Sequence, residues 1–263
     1  MKYLLQKLPI IFIGLVFFLL QACDTLTAVP TITPSAQPSA TEIPLSQRVM
    51  LTSISFQEQG QAPAYFITAQ TPKLTGSDDP RAQTFNNAVE DIITHEINYF
   101  RENVLAEMPP VSVSNGSSFN AQYSLIFQRD DLWSLKFSFS GYADGAAHPY
   151  QYSVSFNFDL QQGEPLTLAG LFPPDSDFLT VISRYCISEL TRRDIGFYGG
   201  FQQGADPSAE NYRNWNITAD GLLITFDEYQ VAPYAAGPQT VIVPYGELAP
   251  LINSKSPLAM FTR

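Results

Sequence analysis

Three runs of strict alternation dominate this chain and restrict its architecture more than any other feature. Phe119, Ala121, Tyr123, Leu125 and Phe127 alternate with Asn120, Gln122, Ser124 and Gln128. After the short Arg129-Asp130-Asp131 link, Trp133, Leu135, Phe137 and Phe139 alternate with Ser134, Lys136, Ser138 and Ser140. Tyr152, Val154, Phe156, Phe158 and Leu160 then alternate with Ser153, Ser155, Asn157 and Asp159. Side chains of a strand project to opposite faces with a period of two, so three such runs predict an antiparallel meander. One of its faces is greasy and must be covered; the other, rich in Ser, Asn and Gln, is expected to be wet.

The cover is legible upstream. Phe85, Val89, Ile93, Ile97, Phe100 and Val104 recur at spacings of four and three, the stripe of a helix over residues 81–106. Asp78, Asp79 and Pro80 suit its start, and Pro109-Pro110 its end. Two short strands are expected at 49–56 and 64–69, then a loop carrying Pro72, Gly76 and Pro80. A second helix is expected near 176–193, followed by a long mobile loop from Gly196 to Asn211 with aromatic tips. Trp215 and Ile217, the Asp220-Gly221 turn, and Leu222, Ile224 and Phe226 read as a hairpin. A Pro- and Gly-bearing loop leads from it to a returning strand at 240–243. The fold class is therefore α+β: an antiparallel meander packed by two helices, with a C-terminal hairpin and strand.

The ends of the chain speak to address. Lys2 and Lys7 precede an apolar run from Ile10 to Leu20, the plan of a secretory leader over residues 1–22. The Leu20-Gln21-Ala22-Cys23 ending resembles a bacterial lipobox, which implies cleavage before Cys23, lipid on its thiol and anchoring to the cell membrane on its outer side. Residues 23–47, with Pro30, Pro34, Pro38 and Pro44 among Thr, Ser and Ala, read as an extended tether. Loss of Lys2 and Lys7 takes the formal net charge from −11 to −13. That balance argues against nucleic acid as a partner and favours a cationic one. With Cys23 lipidated, Cys186 has no intrachain partner, and its apolar neighbours make it a buried, inert thiol.

Several later segments resemble a bacterial envelope family. The Gly141-Tyr-Ala-Asp-Gly-Ala-Ala-His-Pro149 loop is one. The others are the Asn157-Phe-Asp-Leu160 to Leu171-Phe172 stretch, and Phe226 through Ala232-Pro-Tyr-Ala-Ala-Gly237 to Val243-Pro-Tyr245. The pattern is similar to the uncharacterised domain in the extracellular region of RsiV-type, lysozyme-sensing anti-sigma factors, found also beside the deacetylase domain of PdaC-type proteins. The resemblance implies a PdaC-like N-terminal subdomain over 48–140 and an RsiV-like domain over 141–255. It carries over fold, envelope location and recognition of wall glycan or wall-cutting enzymes, but neither sigma-factor sequestration nor deacetylation.

Chemistry-bearing residues are few. A histidine side chain can change charge near neutral pH, and His148 has Asp144 four residues before it. Its readings are a loop-fixing hydrogen bond beside Pro149, ligand binding, or catalysis. No nucleophile context accompanies it, so no catalytic residue is assigned. Two distant histidines and one isolated thiol make a poor metal site, and no cofactor is implied. The Asp78-Asp79 and Asp130-Asp131 pairs read as solvated turns or calcium ligands. Loop aromatics, among them Tyr198, Phe201 and Tyr234, suit stacking on sugar rings or gripping a protein, unless they fold back onto the core. With His148 and Asp144 they form the candidate ligand set. The expectation is a non-catalytic lipoprotein that binds peptidoglycan or a cationic, lysozyme-like protein. An enzyme of wall carbohydrate and a structural envelope lipoprotein are the alternatives.

Overall fold

The structure, a computed structural model, describes residues 43–261; the expected leader, Cys23 and most of the tether lie outside the described residues. Strands β1 (Met50–Gln61), β2 (Ala64–Thr75), β3 (Ser117–Arg129), β4 (Leu132–Tyr142), β5 (Tyr150–Asp159) and the two-residue β6 (Glu164–Pro165) form one sheet in sequence order. Neighbours are antiparallel except β2 and β3, which run parallel. A parallel pair needs a crossover, and helix α1 (Pro80–Asn103) supplies it. The α+β expectation holds, with the antiparallel meander of β3–β5 built into a six-stranded mixed sheet. The expected subdomain boundary at 140 falls at the end of β4, and β5 beyond it pairs with β4 over its full length.

Helix α1 starts where Pro80 occupies its first turn and the Asp79 carboxylate accepts from the Arg81 backbone N–H at 3.0 Å. Its stripe of Ala82, Phe85, Val89, Ile93, Ile97 and Phe100 is buried on the greasy face of the sheet. Phe85 is the centre of this core, edge-on to Trp133, Phe156 and Phe158 at 6.1, 5.5 and 5.4 Å. The strand expected to stop near Ala69 continues through Pro72 to Thr75. Pairing with β3 ends at Ala69, so a residue without an N–H is tolerated beyond it.

A second core lies between helix α2 (Phe178–Thr191) and a three-stranded antiparallel sheet of β7 (Trp215–Ile217), β8 (Gly221–Phe226) and β9 (Gln239–Pro244). A four-residue helix, α3 (Tyr245–Leu248), follows directly. Ile182, Cys186 and Leu190 of α2 join Ile217, Leu222, Ile224, Phe226, Val241 and Val243 in that core. The segment expected to be a mobile loop is instead anchored. Two 3-10 stretches, Gly199–Ala205 and Glu210–Tyr212, are bound by Gln230 Nε2, which donates to the Gly204 and Asn211 carbonyls at 3.0 and 2.9 Å. Ser183 and the buried Tyr212 both donate to the Ala205 carbonyl at 2.6 Å. Gly204 passes so close to this turn that a Cβ there would sit 1.8 Å from the Gln230 carbonyl oxygen.

Two corrections concern the meander. Register shifts between Leu125 and Phe127, so Phe127 pairs with Ser134 rather than with a core residue. One extra residue in a strand moves every later side chain to the opposite face. Phe127 accordingly leaves the greasy face for the second core, against Phe261 at 5.7 Å. The polar face, in turn, is not wet throughout: Ser134 is 0 % and Asn157 3 % exposed. Strand β7 brings an unpaired backbone edge against them, and buried peptide groups must find partners. Asn157 Nδ2 donates to the Trp215 carbonyl at 2.8 Å, and the Ile217 N–H donates to Ser134 Oγ at 3.1 Å and Asn157 Oδ1 at 3.2 Å. Asn216 Nδ2 completes the seam with bonds to Ser134 Oγ and the Leu135 carbonyl at 2.9 and 2.8 Å.

Candidate functional site

The free edge of β5 meets the turn that follows β8, and this meeting builds the ground on which the candidate residues stand. Asp227 accepts from the Ser153 N–H and from Asn214 Nδ2, each at 2.9 Å, while Glu228 accepts from Gln151 Nε2 at 2.8 Å. Burial pushes the Asp227 carboxyl above its usual range, against the opposing pull of the Ser153 N–H and Arg213. These contacts bring the loop before β5 alongside the loop between β8 and β9.

His148 and Tyr234, 86 positions apart, meet there. Their rings lie 4.2 Å apart at 31°, and the Tyr234 hydroxyl donates to the Pro149 carbonyl at 3.0 Å. Nδ1 of His148 sits 2.9 Å from the same carbonyl oxygen, a bond that fixes the loop. Tyr229, more than half exposed, lies 5.6 Å beyond Tyr234. Gly196 touches Pro233, so the loop bearing Tyr198 abuts the base of the Tyr234 loop, and Tyr198 is 71 % exposed. Phe201 is half-buried in the 3-10 stretch that follows.

Asp144 belongs to a different arrangement. Its carboxylate accepts from the backbone N–H groups of Val113, Ser114 and Gly116 at 2.7, 3.1 and 3.2 Å, and from the Ser114 hydroxyl. The hydroxyl bond first, then these N–H groups, hold the carboxyl below its usual range. It pins the 111–117 segment to the loop between β4 and β5 and does not orient His148. The structure thus unites His148 and Tyr234, brings the start of the Tyr198 loop close to Pro233, and turns Asp144 to a clamp. Cys186 is wholly buried, and burial pushes its thiol up to about 12. Among the described residues no group of three or more His, Cys, Asp or Glu is placed to hold a metal ion.

The open part of the polar sheet face, expected only to be wet, is shaped into hollows. A groove of about 260 Å³ runs over Asn120, Gln122, Lys136, Ser138, Ser140 and Gln151, with Pro238 on its rim. A larger hollow of about 570 Å³ includes Gln59, Phe66, Ser118 and Tyr142. The alternation that predicted the sheet already placed most of these residues on one face; what it lacked was the loop that walls them.

With that geometry established, the comparisons decide kinship. Residues 169–246 match the family described as a protein of unknown function, DUF3298. The DUF3298 match takes in α2, β7–β9 and the loops of Tyr198, Phe201 and Tyr234; Asp144 and His148 precede it. The chain is related to the anti-sigma-V factor RsiV of Bacillus subtilis, 23% identical over 235 residues, 86% of this chain and 79% of RsiV. It is related also to the peptidoglycan-N-acetylmuramic acid deacetylase PdaC of the same organism, 23% identical over 61% of this chain and 34% of PdaC. The immunogenic protein MPT64 of Mycobacterium tuberculosis is 32% identical over 38% of this chain and 43% of its own. The chain spans less than half the length of the first curated relatives it matches. A crystal structure of a DUF3298 protein from Bacteroides fragilis superposes with a TM-score of 0.61 at 16% identity, covering 82% of this chain and 97% of that one, so the fold is shared. Among the described residues no helix is long and apolar enough to cross a membrane.

Proposed function

We propose that this protein binds the glycan of the cell wall without transforming it, held at the outer side of the cell membrane by lipid on Cys23. The observation that carries the reading is the ring cluster of exposed His148 and Tyr229 on either side of half-buried Tyr234, with exposed Tyr198 on the adjoining loop. Rings fixed by hydrogen bonds on a rigid framework offer sugar faces a stacking platform at little entropic cost. His148 acts in this reading as part of the platform: one ring nitrogen faces the Pro149 carbonyl, and the ring lies against Tyr234 rather than beside a nucleophile. Kinship supports the choice of ligand, since PdaC is named for its action on peptidoglycan.

The test is co-sedimentation of the purified protein with insoluble peptidoglycan. Wild type is expected in the pellet, and a Tyr198→Ala/Tyr234→Ala variant in the supernatant with an unchanged circular dichroism spectrum. A formal net charge of −11 also suits a cationic wall-active protein. Capture of lysozyme that salt abolishes, with no pelleting, would replace the glycan reading by that one. For the anchor, Cys23→Ser is expected to release the protein from the membrane fraction.

A further inference from the structure

The polar face of the large sheet is covered at one end and open at the other, and the boundary falls at a lysine. Residues opposite one another across β3, β4 and β5 form rows on this face. Ser134 and Asn157 make the row buried under β7. Ser124, Lys136 and Ser155 make the next, where Ser155 still reaches Asn216 of β7 at 3.0 Å. Gln122, Ser138 and Ser153 follow, then Asn120, Ser140 and Gln151. From the Asn120 row to the Lys136 row is four residues of strand, roughly 14 Å, room for a short oligosaccharide.

The chemistry of this track is uniform apart from Lys136. Gln122, Ser138 and Ser140 are exposed and make no side-chain hydrogen bond to any described residue. The groove lining contains no acid, although the chain carries a formal net charge of −11. Lys136 is half-buried, and burial holds its ammonium below the usual range. Among the described residues it makes no hydrogen bond or ion pair; Asp227, whose charge acts on it, has its oxygens bound by Ser153, Asn214 and Arg213. A partly desolvated ammonium with three unused donors, at the closed end of a lane of neutral amides and hydroxyls, is a reader for an anionic group.

We propose that the open sheet face takes a wall saccharide bearing a carboxylate, with Lys136 binding the carboxylate and Gln122, Ser138 and Ser140 the hydroxyl and acetamido groups. The proposal rests on the glycan reading above and names the chemical feature selected. Carboxylates in the wall come from the lactyl group of muramic acid or from the stem peptide, and the test separates them. Calorimetry with the full-length protein compares N-acetylglucosaminyl-N-acetylmuramic acid, the same disaccharide with its carboxylate amidated, and the disaccharide carrying a tetrapeptide. Wild type is expected to bind one acid-bearing probe on the order of tenfold more tightly than the amidated disaccharide. Which probe it prefers identifies the source of the carboxylate. Lys136→Gln is expected to erase that preference while keeping the affinity for the amidated disaccharide, and Lys136→Arg to retain it.

Equal affinity of wild type for acid and amide overturns the proposal but leaves glycan binding standing, as does a preference that survives Lys136→Gln. Failure of wild type to bind any probe overturns both.

Discussion

Asn216 shows how one side chain joins the two halves of this protein. Its amide donates to Ser134 Oγ and to the Leu135 carbonyl, and its oxygen accepts from Ser155, so strand β7 is fastened to β4 and β5 at a buried site. A buried polar group left unpaired loses its hydration with nothing in return. Asn216→Ala removes one donor from the Leu135 carbonyl, one from Ser134 Oγ and the acceptor of Ser155, and is expected to cost about 1–3 kcal/mol in urea unfolding. Ser134→Ala removes a neighbour in the same network, so the double variant should lose less than the sum of the two single losses. Additive losses would mean that the seam is a set of independent contacts. Nothing in the alternation of Ser134 and Asn157 distinguishes a wet position from one buried under a second sheet. That distinction is made by β7, nearly 60 residues beyond Asn157.

Among the elements, α1 and the sheet beneath it enclose the first core. Phe85 is wholly buried and touches three aromatic rings, whereas Leu125, on the same alternating run as the core of β3, is 45% exposed. Phe85→Ala is expected to cost about 3–5 kcal/mol by denaturant titration, and Leu125→Ala about 0.5 kcal/mol or less. Comparable losses at both positions would show that the helix does not organise this core. Helix α1 was legible because its stripe, its proline and its capping aspartate are all local signals. So was the meander, whose period of two needs no distant partner to declare itself. The bulge before Phe127 was not legible, since an extra residue leaves no mark on a run where Ile126 and Phe127 are both apolar. The candidate site was legible in part. His148 and Tyr234 stood out as loop residues, but their contact depends on carboxylates of the 227–228 turn capping the β5 edge. Lys136 was visible only as one polar position among many, because its lack of a partner is a property of the assembled sheet.

For the whole molecule, three carboxylates tie segments distant in sequence, and their protonation sets its response to acid. Glu58 of β1 is held below its usual range first by Arg101 of α1. Asp79 is held low chiefly by Arg81, with Arg48 adding to it, and Asp144 by Ser114 and the N–H groups beside it. A carboxyl lowered in the fold contributes stability that is present above its unfolded pKa, about 4, and lost as pH falls toward the folded value. Asp227 runs the other way: burial raises it, so its contribution is present at low pH and lost as pH rises through its folded value. The expected profile is therefore asymmetric. At pH values above the ordinary carboxylate range the melting temperature should change little, or rise slightly as pH falls, because the raised Asp227 gains stability on protonation while the other three remain charged. It should fall progressively below about pH 4, as the three lowered carboxyls approach their folded-state values and the ties are neutralised. Thermal melts of wild type and Asp144→Asn followed by circular dichroism across that range check the assignment. The variant should be less stable at neutral pH and show a shallower loss in acid, because one of the titrating ties is gone. A parallel offset with an unchanged acid slope would mean that Asp144 holds the 111–117 segment by geometry alone and that its charge contributes nothing.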